Sequence, residues 1–268
     1  KLRKASTNVM GTTNLLEALR NLNNKCTAII VTSDKVYDNI EQIWGYKEND
    51  QMGGKDIYSG SKGAAELIIK SYYHSFFKSE NSKIRLAVAR AGNVIGGGDW
   101  AKDRVVVDAV SAWSKNQAVN IRSPNATRPW QHVLEPLSGY LNLGMKLHNN
   151  NNLNGEGFNF GPLTEQNITV KHLLSEISKY WGFNSASDAL IIKESNDFHE
   201  ATLLKLNCEK SLNLLEWQSA LDHKDTVRLT SKWYHTYYKN SDNMELVTTK
   251  QIAEYENIAN LKKLQWTA

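Results

Sequence analysis

The stretch Ala28-Ile-Ile-Val-Thr32 runs directly into Ser33-Asp-Lys35. Its continuous apolar run, rich in β-branched side chains, is typical of a strand buried on both faces of a parallel sheet. A second such run spans residues 84–91 and ends at Gly92-Asn93. Helical periodicity over residues 57–77 lies between the two runs, so the sequence predicts a βαβ unit.

Polar side chains follow both predicted strands at their carboxyl ends. Ser33, Asp34 and Lys35 come after the first strand, and Asn93 comes after the second. Tyr58 lies at the start of the helix predicted between them. Parallel sheets bind their ligands beyond the carboxyl ends of the strands. We therefore expect these side chains to line one crevice.

Tyr58 and Lys62 have a spacing that suits chemistry on one helix face. Residues four apart on a helix lie one above the other, and an ammonium beside a phenol stabilises the phenolate. A polar pair at this spacing is also common by chance on exposed helices. The hydroxyl of Ser33 at the preceding strand end favours the catalytic interpretation, in which Tyr58 takes the proton of a substrate alcohol.

The remainder of the chain alternates predicted helices with short strands. Helices are predicted over residues 8–22, with Thr7 or Asn8 as the cap, and over 104–113, 133–147, 170–181 and 226–238. Strands are predicted over residues 119–121 and 157–162, and loops over 38–54, 124–131 and 149–154. Arg128 lies in the second of these loops. The alternation predicts the α/β class.

Composition narrows the function classes. Of the 268 residues, 41% are hydrophobic and 22% charged, with a net charge of +4, as in an ordinary globular enzyme. The sequence contains no Lys/Arg block typical of nucleic-acid binding and no apolar run of about 18 residues that would span a membrane. Cys26 and Cys208 are interpreted as buried thiols of a cytoplasmic protein. No His, Cys and carboxylate cluster has metal-ligand spacing, so we expect no metal.

Longer motifs extend this interpretation. They include Asn8-Val-Met-Gly-Thr-Thr-Asn-Leu-Leu-Glu-Ala18, Arg90-Ala-Gly-Asn-Val-Ile-Gly-Gly-Gly-Asp-Trp100, Arg128-Pro-Trp-Gln-His-Val133, Asn159-Phe-Gly-Pro162 and His199-Glu-Ala201. With the Ser-Asp-Lys and Tyr-x-x-x-Lys motifs, they make the chain resemble the extended short-chain dehydrogenase/reductase superfamily of nucleotide-sugar epimerases and dehydratases. Within it, the chain is similar to the CDP-glucose 4,6-dehydratase family. It departs from that family at Ile57, where Pro is common, and at Thr202-Leu203, where a His-Tyr pair is typical.

The resemblance implies a Rossmann-like doubly wound parallel sheet with a smaller mixed α/β substrate-binding domain. We expect residues 1–97 and 131–162 in the NAD-binding domain, 98–130 and 163–238 in the nucleotide-sugar domain, and 239–268 as a C-terminal or partner-binding tail. The family's Gly-x-x-Gly-x-x-Gly turn, which holds the NAD pyrophosphate, does not occur in this sequence. We therefore expect an N-terminally truncated chain that lacks about three βα units, on the order of 90 residues.

The resemblance also implies a reaction. NAD oxidises C4 of CDP-glucose, water leaves across C5 and C6, and the hydride returns to C6. Tyr58 and Ser33 would share the O4 proton, and Lys62 would hold the cofactor ribose. Sister dehydratases have an Asp-Glu pair where this chain has Asp34 and Lys35. We expect Asp34 to act as the acid and Lys35, in its neutral form, as the base.

Binding residues follow from the same resemblance. Asn8 and Arg90 would join Tyr58 and Lys62 at the cofactor, although Asn8 is also interpretable as a helix cap. Asn93, Arg104 and Arg128 would bind the substrate diphosphate, since a guanidinium matches its oxygens.

The resemblance also implies an assembly, and two rival functions stay open. Homodimers or homotetramers of the family form through a four-helix bundle, here residues 8–22 and 57–77. One rival is a UDP-sugar 4-epimerase, which needs no acid/base pair after Ser33. The other is an inactive nucleotide-binding fragment.

Overall fold

The computed structural model describes residues 2–162, 168–193, 203–239 and 243–267. The helices are α1 (Leu2–Ala5), α2 (Gly11–Arg20), α3 (Ile57–Tyr72), α4 (Val105–Trp113), α5 (Leu134–Asn149), α6 (Val170–Ser178), α7 (Ala186–Ala189), α8 (Glu209–Leu215), α9 (His223–Lys239) and α10 (Met244–Leu261). The strands are β1 (Cys26–Val31), β2 (Ile84–Ala91), β3 (Val94–Ile95), β4 (Val119–Ile121), β5 (Thr127–Arg128), β6 (Gln131–His132), β7 (Gly157–Phe160), β8 (Ile168–Thr169) and β9 (Leu190–Ile192).

The first compact unit comprises Lys1–Gly92, Leu137–Gly161 and Leu206–Gln218. Its sheet has the order β1-β2-β7 with parallel neighbours, in which Val31 pairs with Ala89 and Ala91 with Phe160. Strand β2 is almost entirely buried, as its continuous apolar run predicts. The βαβ unit and the α/β class are therefore confirmed.

The N-terminal helical segment differs from its prediction. Helical structure begins at Leu2, passes through a π-helical turn over Ser6–Met10 and ends at Arg20. Asn8 lies inside this turn, so its interpretation as a helix cap is wrong. In α2, Leu15 is 47% exposed, and the buried side chains are Leu16 and Leu19.

The second compact unit comprises Asn93–Pro136, Pro162–Lys205 and Ser219–Ala268. It contains three small sheets: parallel β3-β6, parallel β4-β9 and antiparallel β5-β8. Its core includes Trp113, Trp130, Leu173, Ile177 and Tyr234. The segment predicted as a loop over residues 124–131 contains β5 and the start of β6, so Arg128 lies on a strand.

The C-terminal segment is a packed element of the second unit. Helix α10 buries Tyr255 and Ala259 at i, i+4 spacing, in one cluster with Leu221 and Leu229. The sequence prediction missed this helix because its other apolar residues, such as Leu246, are exposed. The functional domain boundaries predicted from the sequence stay predictions.

The remaining findings concern the two cysteines, the His199-Glu-Ala201 motif and membrane-spanning helices. Cys26 and Cys208 are free cysteines of intermediate exposure, and burial raises the pKa of the Cys208 thiol. His199-Glu-Ala201 and Thr202 lie outside the described residues. Over the ranges that the structure describes, no helix combines the length and hydrophobicity needed to cross a membrane.

Candidate active site

The segment that follows β1 is a short 3-10 turn capped by a serine. Ser33 is extended, and its Oγ accepts a hydrogen bond from the Lys35 amide at 3.2 Å and donates one to Asp34 Oδ1 at 3.0 Å. Asp34 is only 3% exposed, whereas the side chain of Lys35 is 35% exposed, and their charged atoms lie 3.8 Å apart. The turn therefore presents a hydroxyl, a buried carboxylate and a more accessible amine within three residues.

Helix α3 begins at Ile57 with an aspartate cap. Asp56 accepts hydrogen bonds from the Tyr58 amide at 2.8 Å, from the Ser59 amide and from Ser59 Oγ. Burial raises the pKa of Asp56, but these hydrogen bonds and the charge of Lys35 outweigh it, so the pKa is lowered overall. The cap fixes the start of α3 and places Tyr58 in its first turn.

Tyr58 and Lys62 occupy consecutive turns of α3. The Tyr58 side chain is 37% exposed, and the Lys4 ammonium lies 5.5 Å from its ring centroid. Lys62 is half-buried, and burial lowers its pKa, while the charge of Glu66 opposes the shift. Within the described residues, the Lys62 ammonium has no hydrogen-bond partner, so it is available to a ligand.

The helix packs directly against the turn after β1. Thr32 Oγ1 donates a hydrogen bond to Glu66 Oε1 at 2.5 Å. One turn earlier, a Cβ on Gly63 would lie 3.4 Å from the Val36 carbonyl oxygen, so the small residue permits close approach. The structure thus brings the turn that carries Ser33 and its two neighbours against the helix that carries Tyr58 and Lys62.

Asn8 is also part of this region. Its Nδ2 donates to Ser61 Oγ at 2.9 Å, which ties the π-helical turn to α3 between Tyr58 and Lys62. Single π-helical turns occur frequently at functional sites.

Arg90 lies in a different environment from the one expected of a cofactor ligand. It is 3% exposed, and its Nε and Nη2 donate to Glu66 at 2.5–3.0 Å. Its Nη1 donates to the Tyr37 hydroxyl at 2.7 Å, which in turn donates to Asn159. Burial lowers the pKa of Arg90, but the bonds to Glu66 outweigh it and raise the pKa. The Arg90 donors are directed at protein groups, so the structure gives this residue an internal structural role.

The three predicted substrate ligands belong to the second unit. The Asn93 carbonyl accepts from the Gln131 amide at 3.0 Å, and the buried Oδ1 of Asn93 has no hydrogen-bond partner among the described residues. Arg128 is buried, and its Nη1 donates to the Thr127 carbonyl. Arg104 is exposed and immediately precedes α4. Asn93 therefore directly precedes β3 and Arg128 lies on β5, whereas Arg104 lies on the surface.

The glycine loop (residues 96–100) is held by rings of α9. A Cβ on Gly97 would overlap the indole ring of Trp233, so only glycine fits there. The Tyr234 hydroxyl donates to the Asp99 carbonyl at 2.9 Å, and Trp100 packs on Tyr237 with ring centroids 4.6 Å apart. Trp233 Nε1 donates to Thr248 Oγ1 of α10 at 2.9 Å. We call these rings, Trp100, Trp233, Tyr234 and Tyr237, the aromatic cluster.

Two buried titratable groups flank the start of α5. Burial lowers the pKa of His132 to about 4. Burial raises the pKa of Glu135 to about 7, although amides of Ala220 and Leu221 and the Tyr255 hydroxyl donate to its carboxylate. Both groups therefore favour their neutral forms in the folded protein.

Sequence reasoning missed Thr32, Asp56 and Glu66. Glu66 had a signal, since it lies four residues after Lys62 on the same helix face, but the sequence does not indicate its partners. In the part of the chain that the structure describes, no three His, Cys, Asp or Glu residues are placed to hold a metal. The prediction that the protein needs no metal stays a prediction.

Comparison with known proteins identifies the family. A family model described as GDP-mannose 4,6 dehydratase matches residues 2–230. The CDP-glucose 4,6-dehydratase of Salmonella typhimurium is 42% identical over 253 residues, covering 93% of this chain and 69% of that protein. The CDP-paratose 2-epimerase of Salmonella typhi is 25% identical over 253 residues, covering 84% of this chain and 70% of that protein.

A solved structure supports the fold independently. The crystal structure of dTDP-glucose 4,6-dehydratase from Bacillus anthracis in complex with NAD matches with a TM-score of 0.71 at 20% identity. It covers 91% of this chain and 71% of that one. The resemblance inferred from the Tyr-x-x-x-Lys and Gly-Gly-Gly-Asp-Trp motifs is thereby confirmed. Sequence, fold and matched length agree that the chain belongs to the GDP-mannose 4,6 dehydratase family.

Proposed function

We propose that this chain carries the catalytic residues of an NAD-dependent lyase that converts CDP-glucose to CDP-4-keto-6-deoxyglucose. The observation that carries the proposal is the Asp34–Lys35 pair directly after Ser33, on a turn packed against the helix of Tyr58 and Lys62. The 42% identity to a CDP-glucose 4,6-dehydratase supports the choice of substrate. A cytoplasmic protein that acts in deoxysugar and surface polysaccharide synthesis is consistent with this reaction.

The first step is removal of a proton from the sugar O4 hydroxyl. Tyr58 takes this proton as a general base, and Ser33 shares it through its hydroxyl. NAD, when bound, would supply the hydride acceptor for C4 and the hydride donor for C6. Lys62 fits the role of cofactor ligand, because its half-buried ammonium has no partner among the described residues and lies one turn from Tyr58. Arg90 is not part of this proposal, since its donors are bound to Glu66 and Tyr37.

The second step is loss of water from C5 and C6. Lys35 takes the C5 proton, which the C4 ketone makes acidic, and Asp34 gives a proton to the departing C6 hydroxyl. This requires the neutral form of the pair, which arises when one proton moves from the ammonium to the carboxylate. When the hydride returns to C6, the Lys35 ammonium gives its proton back to C5.

Substrate binding is assigned to the second unit. Asn93 offers a side-chain amide at the start of β3, and its Nδ2 would donate to a diphosphate oxygen. Arg128 and Arg104 supply guanidinium groups for the same anion, Arg128 from a buried strand and Arg104 from the surface.

The assembly is proposed to be a homodimer formed through α2 and α3. Met10, Leu15, Leu67 and Phe76 are large apolar side chains exposed on this helical segment. Leu67→Lys should lower the mass measured by light scattering to that of one chain. The control Leu212→Lys changes an equally apolar, exposed residue on α8 and should leave the assembly intact.

A substrate panel tests the function. The protein that contains this sequence should be incubated with NAD⁺ and the glucose esters of CDP, dTDP, GDP and UDP. We expect the 4-keto product from CDP-glucose, and a UDP-sugar epimer instead would favour the rival 4-epimerase. Tyr58→Phe should lower the rate by at least about 10²-fold. The control Tyr72→Phe alters a tyrosine at the other end of α3, bonded to Glu17, and should keep the wild-type rate.

Lys35→Ala separates the two steps. The variant should still oxidise C4, so NADH absorbance should accumulate with substrate while no 6-deoxy product forms. Dehydration at the native rate by Lys35→Ala would show that Lys35 is not the base.

A further inference from the structure

Glu66 joins the two elements that carry the proposed catalytic groups. We propose that Glu66 is a positioning residue, which holds the Ser33-Asp34-Lys35 turn in register with Tyr58 and Lys62 without touching the substrate. This inference rests on the proposed function. Glu66 is 3% exposed and lies on α3, two turns after Tyr58.

The amino-terminal end of the turn is tied to Glu66 by one hydrogen bond. Thr32, the residue before Ser33, donates its hydroxyl proton to Glu66 Oε1 at 2.5 Å. A bond to a charged acceptor is stronger and more directional than a neutral one. It therefore restricts how far the end of β1 can shift along α3.

The carboxyl-terminal end of the turn is tied to Glu66 through Arg90. The Arg90 guanidinium forks onto both Glu66 oxygens, and its Nη1 donates to the hydroxyl of Tyr37, the residue after Val36. The Tyr37 hydroxyl is fixed in turn by Asn159 at 2.7 Å. The turn is thus clamped at both ends by groups that meet at one carboxylate.

Glu66 also acts on the electrostatics of Lys62. It lies at i+4 from Lys62, and its negative charge opposes the lowering of the Lys62 pKa that burial causes. One carboxylate therefore restrains the geometry of the turn and also favours the charged form of Lys62.

Thr32→Val tests positioning with little effect on folding, because valine has the shape of threonine and the Arg90–Glu66 pair remains. We expect kcat to fall about tenfold, less than the ~100-fold that a 1 Å misplacement can cost. KM should stay within about twofold, because the substrate-binding residues are unchanged. Thr32→Ser restores the hydroxyl and should recover most of the lost kcat.

Thr27→Val is the matched control. Thr27 lies on β1, the strand that leads into Thr32, and its hydroxyl contacts His148 Nδ1 at 3.2 Å. It should leave kcat and KM unchanged. Glu66→Gln should lower kcat more than Thr32→Val, since it weakens both ends of the clamp, with folding checked by thermal unfolding.

A wild-type kcat in Thr32→Val would overturn the positioning role. That result is distinct from failure of the proposed function, which an active Tyr58→Phe variant would reveal. A loss of kcat in Thr32→Val that Thr32→Ser does not recover would also contradict the proposal, because it would not depend on the hydroxyl.

Discussion

Two segments differ in the forces that hold them: the turn after β1 and the glycine loop after β3. The turn carries proposed catalytic residues, and the loop precedes the proposed substrate ligand Arg104. Each segment packs against a helix. The turn is held by hydrogen bonds that meet at the buried Arg90–Glu66 pair. The glycine loop is held by the fit of Gly97 against Trp233 and by ring packing on Trp100. Directional bonds position atoms for proton transfer, whereas packed rings fix the shape of a loop.

The difference predicts different responses to mutation. A buried ion pair resists small shifts but is costly to break, because the partner left behind stays buried and charged. An aromatic cluster spreads its stabilisation over many weak contacts, so the loss of one polar group costs less. The predictions below test this contrast, beginning with the largest expected effect.

Arg90→Ala should cause the largest loss of stability. It leaves the buried Glu66 carboxylate without its cationic partner and the Tyr37 hydroxyl without its donor, so unfolding free energy should fall by about 3–5 kcal/mol. Arg85→Ala is the control on the same strand, where the guanidinium donates to two backbone carbonyls of α5 and is partly exposed. It should cost about 1 kcal/mol. Urea unfolding measures both, and equal losses would contradict the role of the ion pair.

Two buried titratable groups of the second unit, Glu135 and His132, should make the stability of the protein depend on pH. Glu135 has a folded pKa of about 7 against an ordinary value of 4.5, so the stability it contributes is full below pH 4.5 and is lost as the pH rises through 7. His132, with a pKa of about 4 against 6.5, contributes stability above pH 6.5 that is lost as the pH falls through 4. In the wild type, the two groups therefore change the stability in opposite directions as the pH rises.

Glu135→Gln removes the contribution of Glu135 to the pH dependence of stability and leaves that of His132. The stability of the wild type relative to the variant should fall by about 3 kcal/mol between pH 4.5 and pH 7.5. Urea unfolding of both proteins across this range measures the difference. A difference that does not change with pH would mean that folding does not raise the pKa of Glu135.

Gly97→Ala should distort the glycine loop. The added Cβ overlaps the Trp233 ring, and overpacking of this kind costs about 1–3 kcal/mol. We also expect a raised KM for the nucleotide sugar with little change in kcat, because the affected loop lies between Asn93 and Arg104. Gly11→Ala is the control, since a Cβ there meets nothing within 4 Å. A KM equal to that of the wild type would separate the loop from substrate binding.

Thr248→Val should have the smallest effect. It removes the acceptor of the Trp233 Nε1 hydrogen bond, at a cost of about 1 kcal/mol. Thr249→Val is a close control, because both threonines bond to the carbonyl four residues earlier on α10 and only Thr248 also contacts Trp233. If both variants lose the same stability, the contact with Trp233 contributes nothing.

The sequence predicts most of the first unit, because its signals are local. The continuous apolar run gives β2 its bounds, and the Tyr58-to-Lys62 spacing places both residues on one helix, as the structure confirms. Roles that depend on distant partners were not predictable in this way. Arg90 was assigned to a cofactor because nothing in its neighbourhood indicates Glu66, which lies 24 residues away. Helix α10 was missed because its buried side chains meet partners from other segments.

The path of one hydrogen atom tests the central claim most directly. CDP-glucose that carries deuterium at C4 should be converted with unlabelled NAD⁺, and the product analysed by NMR. A site in which Tyr58, Ser33, Asp34 and Lys35 act as proposed moves that deuterium to C6 of a 4-keto-6-deoxy product. Deuterium that is found instead at C4 of an epimerised sugar would contradict the dehydratase assignment.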